Sequence, residues 1–200
     1  MVKPIQFGFM AVIFALSTPV FAKGERYGAV ANFKMMESIE YEEGLSDEFN
    51  TISYGFVHTR PIDENNNRWR WWFGVNYLSD TTDTAENGIH QDVNNYEFRV
   101  VPQYALGKWN AFTPYIGTGL SMAYSQYSNR WQIENNNKAS GTELEDINQF
   151  ELGVVVSLAT VIKLSDNPDS HLQIIPQASY IQPLYNDGIG GLELSVALLF

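Results

Sequence analysis

The sequence contains no cysteine, which excludes disulfides, thiol catalysis and cysteine-ligated zinc. Charge is scarce as well: Asp, Glu, Lys and Arg make up 18% of 200 residues, below the usual quarter. Basic residues are the rarer sign, 12 against 23 acidic, for a formal net charge of -11. No basic patch exists to follow a phosphate backbone, which argues against nucleic acid as a partner. Beyond residue 22 there is no long apolar run and so no candidate membrane helix. Helical periodicity of useful length and internal repeats are also missing. Aromatic residues, by contrast, are abundant at 14%.

The amino-terminus has the parts of a secretory signal. Lys3 supplies the positive charge, and Phe7 to Leu16 form a short apolar core. Ser17, Thr18 and Pro19 follow, then small residues at Val20 and Ala22. Residues 1–22 are therefore expected to be a cleaved signal peptide, with 23–200 as one mature domain. The apolar core is shorter than the ~20 residues a retained spanning helix needs. No cysteine follows the cleavage position, so this is not a lipoprotein signal.

Read for a period of two, the mature chain gives eight strand-like segments. They are "RYGAVANFKMM", "TISYGFVHT", "RWRWWFGVNYL", "NNYEFRVVPQY", "AFTPYIGTGLSMAYS", "NQFELGVVVSLATVI", "HLQIIPQASYI" and "GLELSVALLF". One face of each is apolar: Trp69, Trp71, Phe73 and Val75 in the third, Leu192, Leu194, Val196, Leu198 and Phe200 in the last. The opposite face carries Arg, Glu, Gln, Asn, Ser and Gly. Leu199 is the apolar exception on that face. Polar segments rich in turn residues separate the strands. Short ones lie at 61–67, 105–110, 163–170 and 183–190, and long ones at about 37–50, 79–93 and 125–147. A polar face of glycines and isolated charges of both signs suits the interior of a narrow barrel, and strands of about 9–11 residues cross a membrane when tilted. The expected fold is all-β: a closed antiparallel eight-stranded transmembrane β-barrel with short periplasmic turns and longer extracellular loops. Pro102 and Pro114 fall near strand ends, whereas Pro176 is central and predicts a bulge. Tyr27, Trp69, Tyr104, Trp109 and Phe112 toward one end, and Tyr54, Tyr77, Tyr124 and Tyr180 toward the other, are expected to form aromatic girdles.

The ending Leu194, Val196, Leu198, Phe200 and the stretch "TPYIGTGL" (113–120) resemble the small outer-membrane β-barrel superfamily, which includes the OmpA membrane domain, OmpX and opacity-type proteins. The resemblance covers 23–200. It implies the outer membrane of a Gram-negative bacterium, contact with lipid and lipopolysaccharide, and a monomer. It also implies that Leu194, Val196, Leu198 and Phe200 are a signal read by the outer-membrane assembly machinery. With no periplasmic domain after the barrel, tethering to peptidoglycan is not expected.

Arg68, Arg70, Glu97, Arg99, Glu151 and Glu193, with Lys34, are expected to point into the lumen. Charges there must pair, as a structural plug or as the lining of a small porin-like channel. Trp72 faces inward beside Arg70, where it can stack on the guanidinium. Lipid A deacylase barrels resemble this chain in size and ending, but their His-x-Ser pair is absent. The triplets here are His58-Thr59-Arg60, His90-Gln91-Asp92 and His171-Leu172-Gln173, so a catalytic set needs assembly in space from His58, on the second strand, or His171; His90 lies in a loop. Palmitoyl-transferring barrels carry a helix before the first strand, for which there is no room after Ala22. The long segments are acidic, with Glu37, Glu40, Glu42, Glu43, Asp47 and Glu48 in the first, Asp80, Asp83, Glu86 and Asp92 in the second, and Glu134, Glu143, Glu145 and Asp146 beside Arg130 and Lys138 in the third. They suit a repelling surface, or one that takes divalent cations or a cationic extracellular ligand. No spacing matches a calcium-binding EF-hand loop. No cofactor or catalytic residue is assigned. The expected function is a non-enzymatic surface role in envelope integrity or external contact, with a small channel, a lipid A acyl hydrolase and a secreted soluble binder as the other readings.

Overall fold

The computed structural model describes residues 24–37, 49–63, 66–83, 89–109, 112–134, 138–164, 172–185 and 190–200. The expected signal peptide, most of the first acidic segment, Glu86 and His171 lie outside them. Among the described residues nine strands follow one another: β1 (Arg26–Glu37), β2 (Phe49–Asp63), β3 (Asn66–Asp83), β4 (Ile89–Ala105), β5 (Phe112–Glu134), β6 (Lys138–Glu143), β7 (Ile147–Lys163), β8 (Gln173–Pro183) and β9 (Gly190–Leu199). Each pairs antiparallel with its neighbours in the order β4-β3-β2-β1-β9-β8-β7-β5-β6. A further β4–β5 pairing closes the ring. Eight strands form the barrel, while β6 pairs with the far end of β5 alone. Closure lets the backbone groups of the ring find partners within the sheet, the condition for crossing hydrocarbon.

The last strand completes the ring against the first. Ala31 faces Val196 and Lys34 faces Glu193. Tyr27 and Phe200 exchange backbone bonds at 3.3 and 2.9 Å. Phe33, Ile52, Phe56, Val75, Leu120, Leu158 and Val196 point outward and are exposed, an apolar surface facing away from the lumen. Tyr54, Tyr77, Tyr96, Tyr124 and Phe150 stand side by side across five strands. Trp69 and Tyr104 pack at 4.9 Å toward the other end, as do Trp109 and Phe112 at 5.3 Å. Trp69 and Tyr77 are eight residues apart on β3, about 26 Å along the strand and about 20 Å along the axis at ~40° tilt. That is close to the ~25 Å apolar band of such barrels.

Strands β3, β4 and β5 run well past the tyrosine row, so the described residues of the segments 79–93 and 125–147 are largely strand where their composition suggests loops. Asp80 faces Val93 and Thr81 faces Asp92, with Thr81 Oγ1 donating to Asp92 Oδ1 at 2.8 Å. Continued ladder pairing outweighs the low strand propensity of Asp and Asn. The result is a wall, taller on the β3–β5 side, because described β2–β3 pairing begins only at Tyr54 and Tyr77.

Proline acts differently from expectation. Pairing of β7 with β8 lapses between Ala159↔Gln177 and Ile162↔Ile174, yet the register is unchanged and Pro176 still faces Val196. There is no bulge at Pro176: the missing N–H costs ladder bonds on one side only. Pro102 interrupts β4–β5 in the same way, between Val100↔Leu120 and Gln103↔Gly117. A Cβ at Gly119, beside that gap, would collide with the Val100 carbonyl, so only glycine fits there. The register does shift between His90 and Asp92, opposite Asn129, whose φ is 54°. Asn tolerates that left-handed conformation, and the extra residue turns Arg130 inward.

The interior is not uniformly polar. Val30, Val57, Trp72, Val101, Ile175 and Leu199 belong to one buried apolar cluster reaching the end that carries Phe200. Leu78, Val93 and Tyr127 form a second toward the opposite end, with Ile147 against them. Leu199 is thus no misplaced residue but part of the barrel floor, fully buried beside lipid-facing Leu198. Leu199→Ala is expected to cost about 2–5 kcal/mol by leaving a cavity. Leu198→Ala, on the outward face, should cost clearly less. Urea unfolding midpoints of the refolded barrel compare the two, and equal losses would contradict this inside–outside assignment.

Candidate functional site: the charged lumen

Between the two apolar clusters lies a buried group of four charges. β1 contributes Lys34, β4 contributes Glu97 and Arg99, and β9 contributes Glu193. Each is at most 4% exposed. Alternation along each strand aims these side chains inward, since Phe33, Phe98 and Leu194 take the outward positions. Arg99 sits at the centre. Its Nε reaches Glu97 Oε1 at 2.5 Å and its Nη1 reaches Glu193 Oε1 at 2.5 Å. Nη2 donates to Glu97 Oε2 and Glu193 Oε2, both at 2.7 Å. Lys34 Nζ donates to Glu97 Oε2 at 2.8 Å and lies 3.9 Å from Glu193 Oε2. In ring order β4 and β9 are diametrically opposite. The Arg99–Glu193 pair therefore spans the lumen from wall to wall.

Two positive and two negative charges balance, and both carboxylates are engaged in a two-point grip on Arg99. Polar residues on either side extend the network. Asn32 donates to Ser53 at 2.9 Å and to Asn76 at 3.1 Å, tying β1 to β2 and β3. Gln103 donates to Gln177 at 3.1 Å and Ser157 at 3.3 Å, tying β4 to β8 and β7. A small cavity of about 20 Å³ adjoins Lys34 and Glu97, lined also by Asn95, Ser121, Glu151 and Gly153 among others. It has room for about one water.

The residues expected in the lumen do not form one group. Glu97, Arg99 and Glu193 meet with Lys34. Glu151 belongs to a separate set, accepting from Ser125 Oγ at 2.5 Å and Gln149 Nε2 at 2.9 Å. Arg70 is buried near the floor, where its Nε donates to Gln103 Oε1 at 2.8 Å. Its guanidinium lies 3.8 Å from the Tyr115 ring centroid and 5.7 Å from that of Trp72, so Tyr115 is the closer stacking partner. Arg68 is exposed at the strand end and donates to Tyr104 Oη at 3.2 Å. Its place so near the β2–β3 turn carries it out of the lumen. Arg130, which composition assigns to a loop, is buried instead, donating to Gln91 Oε1 at 3.2 Å and the Glu145 carbonyl at 2.7 Å. Only the break at Asn129 could have signalled that.

The histidines are dispersed. His58 faces outward, stacked between Tyr27 at 4.3 Å and Phe73 at 5.8 Å, so it does not share the lumen with Glu97, Glu151 or Glu193. His90 is on β4, paired with Trp131, and not in a loop. Among the described residues no group of three His, Cys, Asp or Glu is placed to hold a metal. Leu194, Val196 and Leu198 of the expected assembly signal point outward, and Phe200 is exposed at the strand's end.

No protein-family model matches the chain, and no curated protein matches it in sequence. Solved structures do. Neisserial surface protein A is similar with a TM-score of 0.56 at 14% identity, over 88% of this chain and 96% of that one. The fold is that of the small eight-stranded outer-membrane β-barrels. OprG from Pseudomonas aeruginosa matches with a TM-score of 0.52 at 15% identity, over 88% and 93% of the two chains. Ail of Yersinia pestis, in complex with the heparin analogue sucrose octasulfate, matches with a TM-score of 0.50 at 12% identity, over 88% and 99%. At these identities the likeness is one of architecture, and side-chain roles rest on this chain's own residues.

Removing one member of the four-charge group should be costly. Arg99→Met leaves Glu97 and Glu193 facing each other across the lumen, with Lys34 alone to neutralise both. A loss of about 3–5 kcal/mol is expected. The double variant Arg99→Met with Glu193→Gln should recover a large part of it, because the stranded charge goes too. Urea unfolding of the four-member cycle measures the coupling. Strict additivity would show that the pair does not bridge the walls.

Proposed function

We propose that this is a non-enzymatic outer-membrane surface protein. In this reading the lumen is a sealed structural core, and the work is done outside the membrane by the tall β3–β6 wall and the acidic segments around it. The supporting observation is the wall-to-wall Arg99–Glu193 pair, buried between two apolar clusters. An eight-stranded barrel is only wide enough for side chains to fill, and here the side chains fill it with charges that satisfy one another. Export with cleavage after Ala22 puts Phe200 and the short turns on the periplasmic side. The tall wall then faces the exterior, with lipopolysaccharide around it and the barrel acting as a monomer.

The acidic balance indicates the kind of partner. Ail has been seen with a polyanionic sugar analogue. This chain carries a formal charge of -11, and its long segments hold runs such as Glu40, Glu42 and Glu43. A polyanion would be repelled from such a surface, whereas a cationic peptide or divalent cations would be attracted. The role is therefore contact with cationic partners, or cation-bridged contact with neighbouring lipopolysaccharide, in support of envelope integrity.

A planar bilayer containing the purified barrel should show no stepwise conductance. Discrete steps that change with Arg99→Met would overturn the sealed-lumen reading in favour of a channel. Deleting Phe200 tests the assembly role of the last strand: the yield of folded, heat-modifiable barrel in the outer membrane should fall severalfold, and a normal yield would remove that role.

A further inference from the structure

The outer end of the lumen holds a pocket that the four-charge group does not fill. Its volume is about 20 Å³, the room of one water-sized group. Lys34, Glu97 and Glu151 bring charge to its lining, and Asn95 and Ser121 bring neutral polar groups. All five are at most 7% exposed. Ile181 and Pro183 form an apolar lip where β8 makes its last ladder pairs, Ile181 with Gly191 and Pro183 with Gly153. Pro183 and Ala123, which also line the pocket, face inward yet are only half-buried, so solvent reaches it. The space depends on a missing side chain. A Cβ at Gly153 would stand 2.7 Å from Ser121 Oγ and 3.2 Å from Ile181 Cγ2, inside the lining.

The lining carries one positive and two negative side chains. Lys34 and Arg99 are bound to Glu97 and Glu193, and that group sums to zero. Glu151 therefore gives the pocket its sign. A run of neutral donors orients it: Asn95 donates to Ser125 at 2.8 Å, and Ser125 donates to Glu151 Oε1 at 2.5 Å. Gln149 donates to the same oxygen at 2.9 Å. The segments that connect strands at this end, 38–48, 84–88, 135–137 and 186–189, contain no Lys, Arg or His and so have no cation to offer. Of the outer cations on the strands, Arg130 is held by Gln91 and the Glu145 carbonyl, and Lys138 is at the tip of the β5–β6 ladder opposite Glu134.

We propose that this pocket takes one primary ammonium group, the head of an alkylamine or of a lysine side chain reaching in from outside, with its methylene stem along Ile181 and Pro183. The head is close to water in size, so it fits where a guanidinium does not. Its three N–H donors meet the Glu151 carboxylate, the Ser121 hydroxyl and the Asn95 amide oxygen. A divalent metal is a poorer match, because among the described residues no group of three His, Cys, Asp or Glu is placed to hold one. The pocket makes the cationic partner of the proposed function specific, and it rests on that reading for the source of the ligand alone.

The test uses the full barrel in detergent, nitrogen-labelled for NMR and titrated at constant ionic strength with n-butylammonium. Tetramethylammonium, which has the charge but no N–H donor and too much bulk, is the comparison. Butylammonium should shift the backbone amides of Glu151, Gly153 and Ile181 saturably, and tetramethylammonium should not. In Glu151→Gln, which still accepts from Ser125, the dissociation constant should rise about tenfold. Gly153→Ala fills the pocket, keeps every charge and should abolish the response. The peptide acetyl-Gly-Lys-Gly-amide then separates the sources: the same shifts assign the pocket to lysine side chains, and a response to butylammonium alone assigns it to free amines. No saturable shift, an equal response to tetramethylammonium, or shifts unchanged in both variants would each overturn the site. None of these results bears on bilayer conductance, so a failed pocket is distinguishable from a failed sealed-lumen reading.

Discussion

Closure of the sheet is the constraint on which everything else depends. In hydrocarbon no water is present to satisfy a free N–H or C=O, so a strand edge within the bilayer is untenable. The β1–β9 pairing, from Gly28↔Leu199 to Glu37↔Gly190, removes the edge. Closure also fixes which side of every strand meets the lumen. Once Leu198 is committed to lipid, Leu199 and Ala197 must go inside.

A lumen enclosed by eight strands then sets its own problem. It is too narrow for bulk water and too polar, in this sequence, to collapse as an ordinary core. The solution is layered. Apolar residues such as Val57, Val101 and Leu199 pack at one level, the charges of Lys34, Glu97, Arg99 and Glu193 neutralise one another at the next, and Leu78, Val93 and Tyr127 pack above. Burying charge gains little net stability even when the pairing is good. The Arg99–Glu97 contact is within β4, whereas the Arg99–Glu193 contact depends on how β4 and β9 are staggered across the ring. The arrangement leaves Arg70 as a cation in an aromatic and amide setting, beside Tyr115, Trp72 and Gln103.

Outside the membrane the same ladder logic gives a different outcome. Strands β3, β4 and β5 continue beyond the tyrosine row because their hydrogen bonds continue, although Asp, Asn, Ser, Thr and Gln dominate there. The inner side of this wall still packs, with Leu78, Val93 and Tyr127 in a cluster and Arg130 buried. In the proposed function, its outward face is where a partner would meet the barrel.

The two-residue period determined the membrane strands, their inward and outward faces and the aromatic rows, because each residue's side follows from its neighbour's with no long-range information. Phe98, Leu120 and Val196 were readable as outward, and Glu97, Arg99 and Glu193 as inward, on that ground alone. Local composition misled where pairing outweighed propensity, as in 79–93 and 125–147, and at Pro176, where a bulge was expected and a simple lapse in pairing occurred. Which inward charges meet was not legible. Arg99 and Glu193 are far apart in sequence, and their contact depends on strand order, register and closure together. The same is true of Arg70 meeting Gln103 and Tyr115, of Arg130 turning inward after Asn129, and of His58 lying outside between Tyr27 and Phe73. The sequence by itself determined the face each strand residue takes, because that is a property of the chain's local geometry. Only the tertiary structure decided the partners, because a charge pair across a barrel is a property of the closed ring.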